Sequence, residues 1–274
     1  MIIGSKNFDE NRTHIMGILN VTPDSFSDGG RYNTLDAALR RTEEMINDGA
    51  EIIDVGGESA RPGYTPVSDE EETARVVPVI SAIKSRFDIP VSIDTYKSAV
   101  ARAALDAGSD LLNDIWGFRH DRGCAEAAKE YNAAVCLMHN RADTGYNDFL
   151  NDVIADLRVS VGIAKEAGIP DDKIILDPGV GFAKTLEENL YITNRLDALK
   201  ELGYPVLLGV SRKSMIGLTL DLPKDERVEG TVAASVIACV KGAMFVRVHD
   251  VKENARAVRM AEAILNSKTA DEGR

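Results

Sequence analysis

Short apolar runs alternate with longer amphipathic stretches along the whole of this chain. The apolar runs read as strands at Ile15–Leu19, Ile52–Val55, Val91–Ile93, Leu111–Leu112, Ala134–Met138, Ile174–Leu176, Val206–Val210 and Phe245–Val248. Between them, helical periodicity marks Leu35–Asp48, Asp69–Phe87, Lys97–Ala107, Gly123–Tyr131, Asn147–Ala167, Thr185–Leu202, Arg227–Lys241 and Val251–Asn266. The second helix shows the signal most clearly. Ser68 and Glu71 form a capping-box pattern, and Val76, Val79, Ile80 and Ile83 follow as a stripe at helical spacing. Gly49, Gly108 and Gly168 stand where a left-handed residue ends a helix.

Eight strand–helix units in 274 residues predict an α/β fold of the (β/α)8 TIM-barrel type, a single domain over residues 1–274. A doubly wound open sheet has the same alternation and is the competing topology. Met1 to Thr13 lie outside the repeat and read as a hairpin closing the barrel bottom. The polar residues 267–274 read as a frayed tail.

The candidate chemistry sits just past the strands. The exits carry Asn20, Asp54 followed by Gly56-Gly57-Glu58-Ser59, Asp94, Asn113-Asp114, His139-Asn140, Asp177-Pro178-Gly179, Ser211-Arg212-Lys213 and Arg247-Val248-His249-Asp250. Any one of these polar residues could be only a helix cap or an Asx turn. Polar residues at every exit are different, because a barrel gathers those positions at its catalytic face. Asp94, Asn113 and Asp177 offer acceptors to a flat heterocycle bearing N–H donors. Arg61, Lys213, Arg247 and His249 offer donors to phosphates. The first exit continues as Val21-Thr22-Pro23-Asp24-Ser25-Phe26-Ser27-Asp28-Gly29-Gly30, a loop rich in hydroxyls, carboxylates and glycine.

Composition narrows the class. Hydrophobic residues make up 44% of the chain and aromatics only 5%, which suits a parallel sheet buried on both faces. The formal net charge of −12 repels nucleic acid and acidic membranes, so neither is expected as a partner. Cys124, Cys136 and Cys239 have neither disulfide-framework nor zinc-site spacing, and read as reduced, semi-buried residues of a cytoplasmic protein. Met1-Ile2-Ile3-Gly4-Ser5-Lys6 does not have the pattern of a signal peptide, and no apolar run approaches the length of a membrane helix.

Taken together, Asn20 to Gly30, Gly57-Glu58-Ser59-Ala60-Arg61-Pro62-Gly63, Ser92-Ile93-Asp94-Thr95, Asn113-Asp114, Asp177-Pro178-Gly179, Ser211-Arg212-Lys213 and Arg247-Val248-His249-Asp250 resemble the dihydropteroate synthase family of folate biosynthesis. The resemblance runs in order from the first strand to the last helix. It implies a homodimeric (β/α)8 barrel that joins 6-hydroxymethyl-7,8-dihydropterin pyrophosphate to p-aminobenzoate with Mg²⁺, releasing pyrophosphate. It assigns Asp94, Asn113, Asp177, Lys213, Arg247, Met138, Ile115 and Phe182 to the pterin, and Asn20, Arg61, Arg247 and His249 to the pyrophosphate. Asn20 would also meet the metal. Pro23, Phe26, Arg61, Lys213 and Ser214 would take p-aminobenzoate, its carboxylate lying at the start of a helix after Lys213. Asp94, Lys213, Arg247 and Asp28 would serve the chemistry. Ala60 departs from the family, which usually has threonine there.

Two other readings fit parts of the pattern. A methyltetrahydrofolate–corrinoid methyltransferase barrel shares the pterin grip, but needs no pyrophosphate site and no such first loop. A catalytically silent pterin-binding subunit would have lost Asn20, Asp94 or Lys213, all of which are present. A Ser211–His249–Asp250 triad lacks a nucleophile elbow. His14, His120 and His139 carry weaker claims, His139 being either a pocket border or a structural residue. Trp116 reads as core or pocket rim.

Overall fold

A computed structural model of the chain describes residues 1–22, 31–58 and 66–267. An antiparallel hairpin, β1 (Ile2–Ile3) and β2 (Lys6–Asn7), opens it. Eight parallel strands follow: β3 (His14–Asn20), β4 (Ile52–Gly56), β5 (Val91–Asp94), β6 (Leu111–Asp114), β7 (Ala134–Met138), β8 (Ile174–Asp177), β9 (Leu207–Leu208) and β10 (Phe245–Val248). The helices are α1 (Arg31–Asp48), α2 (Asp69–Arg86), α3 (Ser98–Asp106), α4 (Gly123–Glu130), α5 (Phe149–Glu166), α6 (Leu186–Asn194), α7 (Leu196–Leu199), α8 (Ser214–Leu220), α9 (Val228–Val240) and α10 (Val251–Leu265). The strands pair in the order β8-β7-β6-β5-β4-β3-β10-β9. A parallel bridge between Leu176 and Val206 joins the two ends, supported by the Leu176 amide donating to Pro205 O at 2.9 Å. The sheet is therefore a barrel, and the open-sheet alternative falls.

Strand periodicity sorts the side chains. Ile53, Val55, Val91, Ile93, Leu112, Val135, Leu137, Leu176, Leu208 and Val246 face outward into the sheath of helices. Met16, Ile52, Leu111, Cys136, Ile175, Leu207 and Phe245 face inward at the lower end of the barrel. The N-terminal hairpin completes that lower layer, because Ile3 and Phe8 are buried against it. Phe8 meets His14 edge-on at 4.9 Å and Phe245 at 5.6 Å between ring centres. The expected hairpin thus plugs the barrel bottom.

Four local expectations change. The helix expected over Thr185–Leu202 breaks at Arg195, and α6 gives way to α7 and a 3-10 turn at Lys200–Leu202. The broken path buries Ile192, Leu196 and Leu199 together. The strand expected over Val206–Val210 shortens to β9, since Val206 is used in the closing bridge and Val210 O already accepts from the Lys213 amide. At Ser68 only half the capping box forms: Ser68 Oγ accepts the Glu71 amide at 3.2 Å, whereas the Glu71 carboxylate pairs with Arg75. The cysteines are free but fully packed rather than semi-buried. Residues 268–274 of the expected tail lie outside the described residues.

The plug gives a stability test. Phe8→Ala is expected to lower the unfolding free energy by about 3 kcal/mol, because the hairpin can collapse only partly over the lost ring. Denaturant titration measures this. A loss below about 1 kcal/mol would show that the hairpin does not close the core.

Candidate active site

The barrel interior turns from apolar to polar in one strand period. Two residues beyond Ile52, Leu111, Ile175 and Phe245 stand Asp54, Asn113, Asp177 and Arg247. On β5 the inward pair is Ser92 and Asp94. Strand register sets the exits side by side, with Asn20 opposite Gly56, Gly56 opposite Asp94, and Asp94 opposite Asn113. Most of the residues expected at the exits therefore converge on one end of the barrel.

Arg247 organises this layer. Its Nε donates to Asp54 Oδ2 at 2.5 Å and its Nη2 to Asp94 Oδ2 at 2.5 Å. Asn113 Nδ2 reaches the same Asp54 oxygen at 3.4 Å. Asp54 is wholly buried, and its second oxygen has no hydrogen-bond partner among the described residues. The two carboxylates hold the guanidinium firmly protonated despite its burial. Burial pushes Asp94 up to about 7; Arg247 opposes that rise, and the nearby Asp54 and Glu72 add to it.

Asp177 lies across the barrel. Its Oδ1 accepts the Gly179 amide at 2.7 Å, and burial raises its carboxyl above the usual range. A Cβ on Gly209 would stand 3.5 Å from Asp177 Oδ2 and 3.9 Å from Arg247 Cβ, so glycine keeps this space open. The Lys213 ammonium donates to Val180 O and lies 4.8 Å from the Phe182 ring centre. Burial lowers its pKa to about 8, with Asp177 pulling the other way. Tyr96, Ile115 and Met138 form a separate apolar cluster, with Trp116 and Phe182 against it. Met138, Ile115 and Phe182 thus share one wall, and Trp116 is its rim.

A second group of donors lies at the exits of β3, β9 and β10. Asn20 Oδ1 is 3.6 Å from the point where a Gly56 Cβ would stand, beside Asp94. Ser211 Oγ accepts the His249 amide at 3.0 Å and lies 2.9 Å from His249 Nδ1. The Ser211 hydroxyl hydrogen is then free for Nδ1, which leaves Nε2–H as the outward donor. Burial, with Arg247 nearby, holds His249 down at about 3, so it acts as a neutral donor rather than the cation that a phosphate site would first suggest. Ser214 is exposed at the first position of α8. That helix spans only seven residues, so the expected anion attraction of a helix end is small and the hydroxyl is what remains.

Some expectations fall elsewhere. Pro23, Phe26, Asp28, Ala60 and Arg61 lie outside the described residues. Asp114 turns away from the barrel interior and caps its own loop, accepting the Trp116 and Phe118 amides at 2.7 and 3.2 Å. His139 is structural, its side chain fully buried between Asp156 and Lys184. His14 pairs with Glu51 below the barrel, and His120 packs on Tyr96 and Trp116.

The family model for pterin binding enzymes matches residues 16–249. A dihydropteroate synthase of Clostridium beijerinckii is 60% identical over 97% of this chain and 99% of its own length. The chain belongs to the dihydropteroate synthase family. A Bacillus subtilis member is 55% identical, covering 93% of this chain and 90% of the relative. Among solved structures, the Clostridium difficile synthase determined in the presence of pteroic acid superposes with a TM-score of 0.93 at 50% identity, covering 95% of this chain and all of that one. The Yersinia pestis synthase in complex with a sulfonamide drug follows at 0.92 and 43%, covering 97% and 99%. The enzyme is accordingly a transferase of folate biosynthesis with the barrel fold of that family.

Sequence reasoning saw Asp54 only as one polar exit among many. Its signal was a carboxylate two residues past an inward isoleucine in a short strand, a position that barrel geometry aims inward. The Lys97 cluster was also missed. Lys97 Nζ donates to Glu58 Oε2 at 2.6 Å, Glu72 Oε2 at 2.7 Å and Val67 O at 2.7 Å. It thereby ties Glu58 and Val67, on either side of residues 59–65, to the start of α3.

The clamp predicts a pH effect with a definite sign. Asp94 must ionise to hold Arg247, so kcat/KM should fall on the acid side with a midpoint about 7. In Asp54→Asn the like charge is gone and Arg247 turns more fully to Asp94, and both changes favour the carboxylate. The midpoint should move to lower pH by about half a unit or more, read from a kcat/KM–pH profile. A midpoint unmoved or moved upward would refute the coupling.

Proposed function

We propose that the buried layer divides the condensation of 6-hydroxymethyl-7,8-dihydropterin pyrophosphate with p-aminobenzoate as follows. Asp177, Asn113 and Asp94 accept N–H bonds from the pterin edge, Lys213 donates to it, and Met138, Ile115 and Phe182 enclose its ring. The observation that carries this reading is Asp177. It is a buried carboxylate with one oxygen committed to its own loop, the other facing a space kept open by Gly209 and no described cation in ion-pair contact. A flat donor pair is what such an oxygen and its neighbours can satisfy.

The reacting methylene is attached to an electron-rich ring, so departure of pyrophosphate leaves a delocalised cation. The carboxylate oxygens of Asp94, ionised above a pH of about 7, and of Asp177 offer negative charge to such a cation. Asn20, Arg247 and His249 serve the leaving group, and Arg61, outside the described residues, adds its charge to theirs. Pro23, Phe26, Arg61, Lys213 and Ser214 receive p-aminobenzoate, and Asp28 assists the chemistry. Among the described residues no three His, Cys, Asp or Glu converge on a point that could hold a metal, and Asn20 offers a single amide oxygen. That sparse donor set fits Mg²⁺, which keeps water and phosphate oxygens as ligands. Bound there by Asn20, Mg²⁺ would neutralise charge on the leaving pyrophosphate.

The assay that tests this is pyrophosphate release on mixing both substrates with Mg²⁺. Asp177→Asn places an amide donor against substrate donors, and should weaken calorimetric pterin affinity by about 2 kcal/mol or more, roughly thirtyfold. Affinity within about threefold of the parent would refute the assignment.

The enzyme also reads as a cytoplasmic homodimer. No helix among the described residues is long and apolar enough to cross a membrane, and the three cysteines are free. Ile237 and Val240 of α9 and Met260, Ile264 and Leu265 of α10 are exposed on adjacent helices, which supports that face as the subunit contact. Sedimentation should give twice the 29.7 kDa chain mass, and Ile237→Lys with Met260→Lys should give a folded monomer of lower melting temperature. A double variant that still dimerises would place the contact on another face.

A further inference from the structure

Behind the pterin wall lies a polar network to which the reaction assigns no role. The Lys184 ammonium has three N–H donors and three partners: His139 Nδ1 at 2.8 Å, Gly179 O at 3.0 Å and Phe182 O at 3.1 Å. Because Nδ1 accepts, His139 donates through Nε2 to Asp156 Oδ2 at 3.0 Å. Arg141 Nε holds the same Asp156 oxygen at 2.6 Å. The imidazole is therefore neutral, and burial together with the Lys184 charge depresses its pKa to about 3.

What Lys184 grips is the segment that follows β8, Asp177 to Ala183. Its backbone takes positive φ at Gly179, Gly181 and Ala183, at 69°, 85° and 45°. Alternating left-handed residues curl the carbonyls inward, where Lys184 takes those of Gly179 and Phe182. Lys213 takes that of Val180, and Tyr146 Oη that of Ala183 at 2.9 Å. Asn189 Oδ1 accepts the Gly181 amide at 2.6 Å. There is no slack on the far side, because a Cβ on Gly179 would fall 1.9 Å from His139 O. The conformation is costly for Ala183 and is kept only because the surrounding donors over-determine it.

We propose that Lys184, oriented by neutral His139, is the positioning residue of the pterin pocket. It touches no substrate. It fixes the curled segment so that Asp177 presents its free oxygen, and Phe182 its ring, to the pterin. Burial drives the ammonium pKa down to about 7, with the nearby Asp177 pulling the other way. The proposal rests on the reading that Asp177 and Phe182 bind the pterin.

Lys184→Met keeps the aliphatic stem and removes all three donors. Steady-state kinetics should show KM for the pterin pyrophosphate raised at least about tenfold and KM for p-aminobenzoate raised by a clearly smaller factor, since of the described residues that receive it only Lys213 bonds to the curled segment, through Val180 O. A purely structural lysine would lower the melting temperature and leave this ratio of constants unmoved, which would overturn the proposal. Should Lys184→Met not fold, His139→Leu deprives Lys184 of one partner and should move the same constant in the same direction by a smaller factor. His139→Asn, which retains an acceptor, should recover most of the loss. Equal constants in His139→Leu and the parent would also overturn it. Failure of the pterin reading itself would show separately, as pterin affinity of Asp177→Asn equal to that of the parent.

Discussion

A guanidinium held between two buried carboxylates governs the upper half of this barrel. Burial works against ionisation of Asp94 and the guanidinium of Arg247 opposes it, while the two carboxylates keep that guanidinium protonated in the interior. Such a triad costs desolvation that well-packed apolar side chains would avoid, as the layer immediately below shows with Ile52, Leu111, Ile175 and Phe245. The polar layer is therefore functional in purpose. It also fixes the relative positions of β4, β5 and β10, so that the Asn20, Asp94 and Asn113 exits form a row rather than three separate caps.

From this centre the pocket separates into regions by chemistry. The acceptors Asp94, Asn113 and Asp177 lie deep, where low polarity strengthens each hydrogen bond. The apolar wall of Tyr96, Ile115 and Met138, with Trp116 and Phe182 against it, stands to one side. Arg247 lies in the same layer, bonded to Asp54 and Asp94, while Lys213 and neutral His249 follow the β9 and β10 exits.

The supporting shell is made of lysines turned inward. Lys184 binds the carbonyls after β8, and Lys97 joins residues on both sides of the second exit to α3. In each case one ammonium satisfies three acceptors drawn from more than one segment. A compact charge on a long stem is suited to this work, because it can cross-link backbone that is not in a strand or a helix. The shell lets irregular exit segments hold side chains as firmly as the strands do.

The sequence by itself determined the eight strand–helix units, the resemblance to the family and most of the residues that converge at one end of the barrel; closure of the sheet was decided by the bridge between Leu176 and Val206. Period-two and helical patterns act locally, and eight repeats leave few ways to close. Polar residues past every strand had one place to converge. What only the tertiary structure decided were the relations between distant segments. That Asp54 meets Arg247, that Lys184 turns under the Asp177 segment, and that His139 serves that lysine rather than the pocket depend on contacts across the barrel, which no local period encodes. Even the charge of His249 was such a relation: its neutrality comes from burial beside Arg247, and burial is a property of the closed fold.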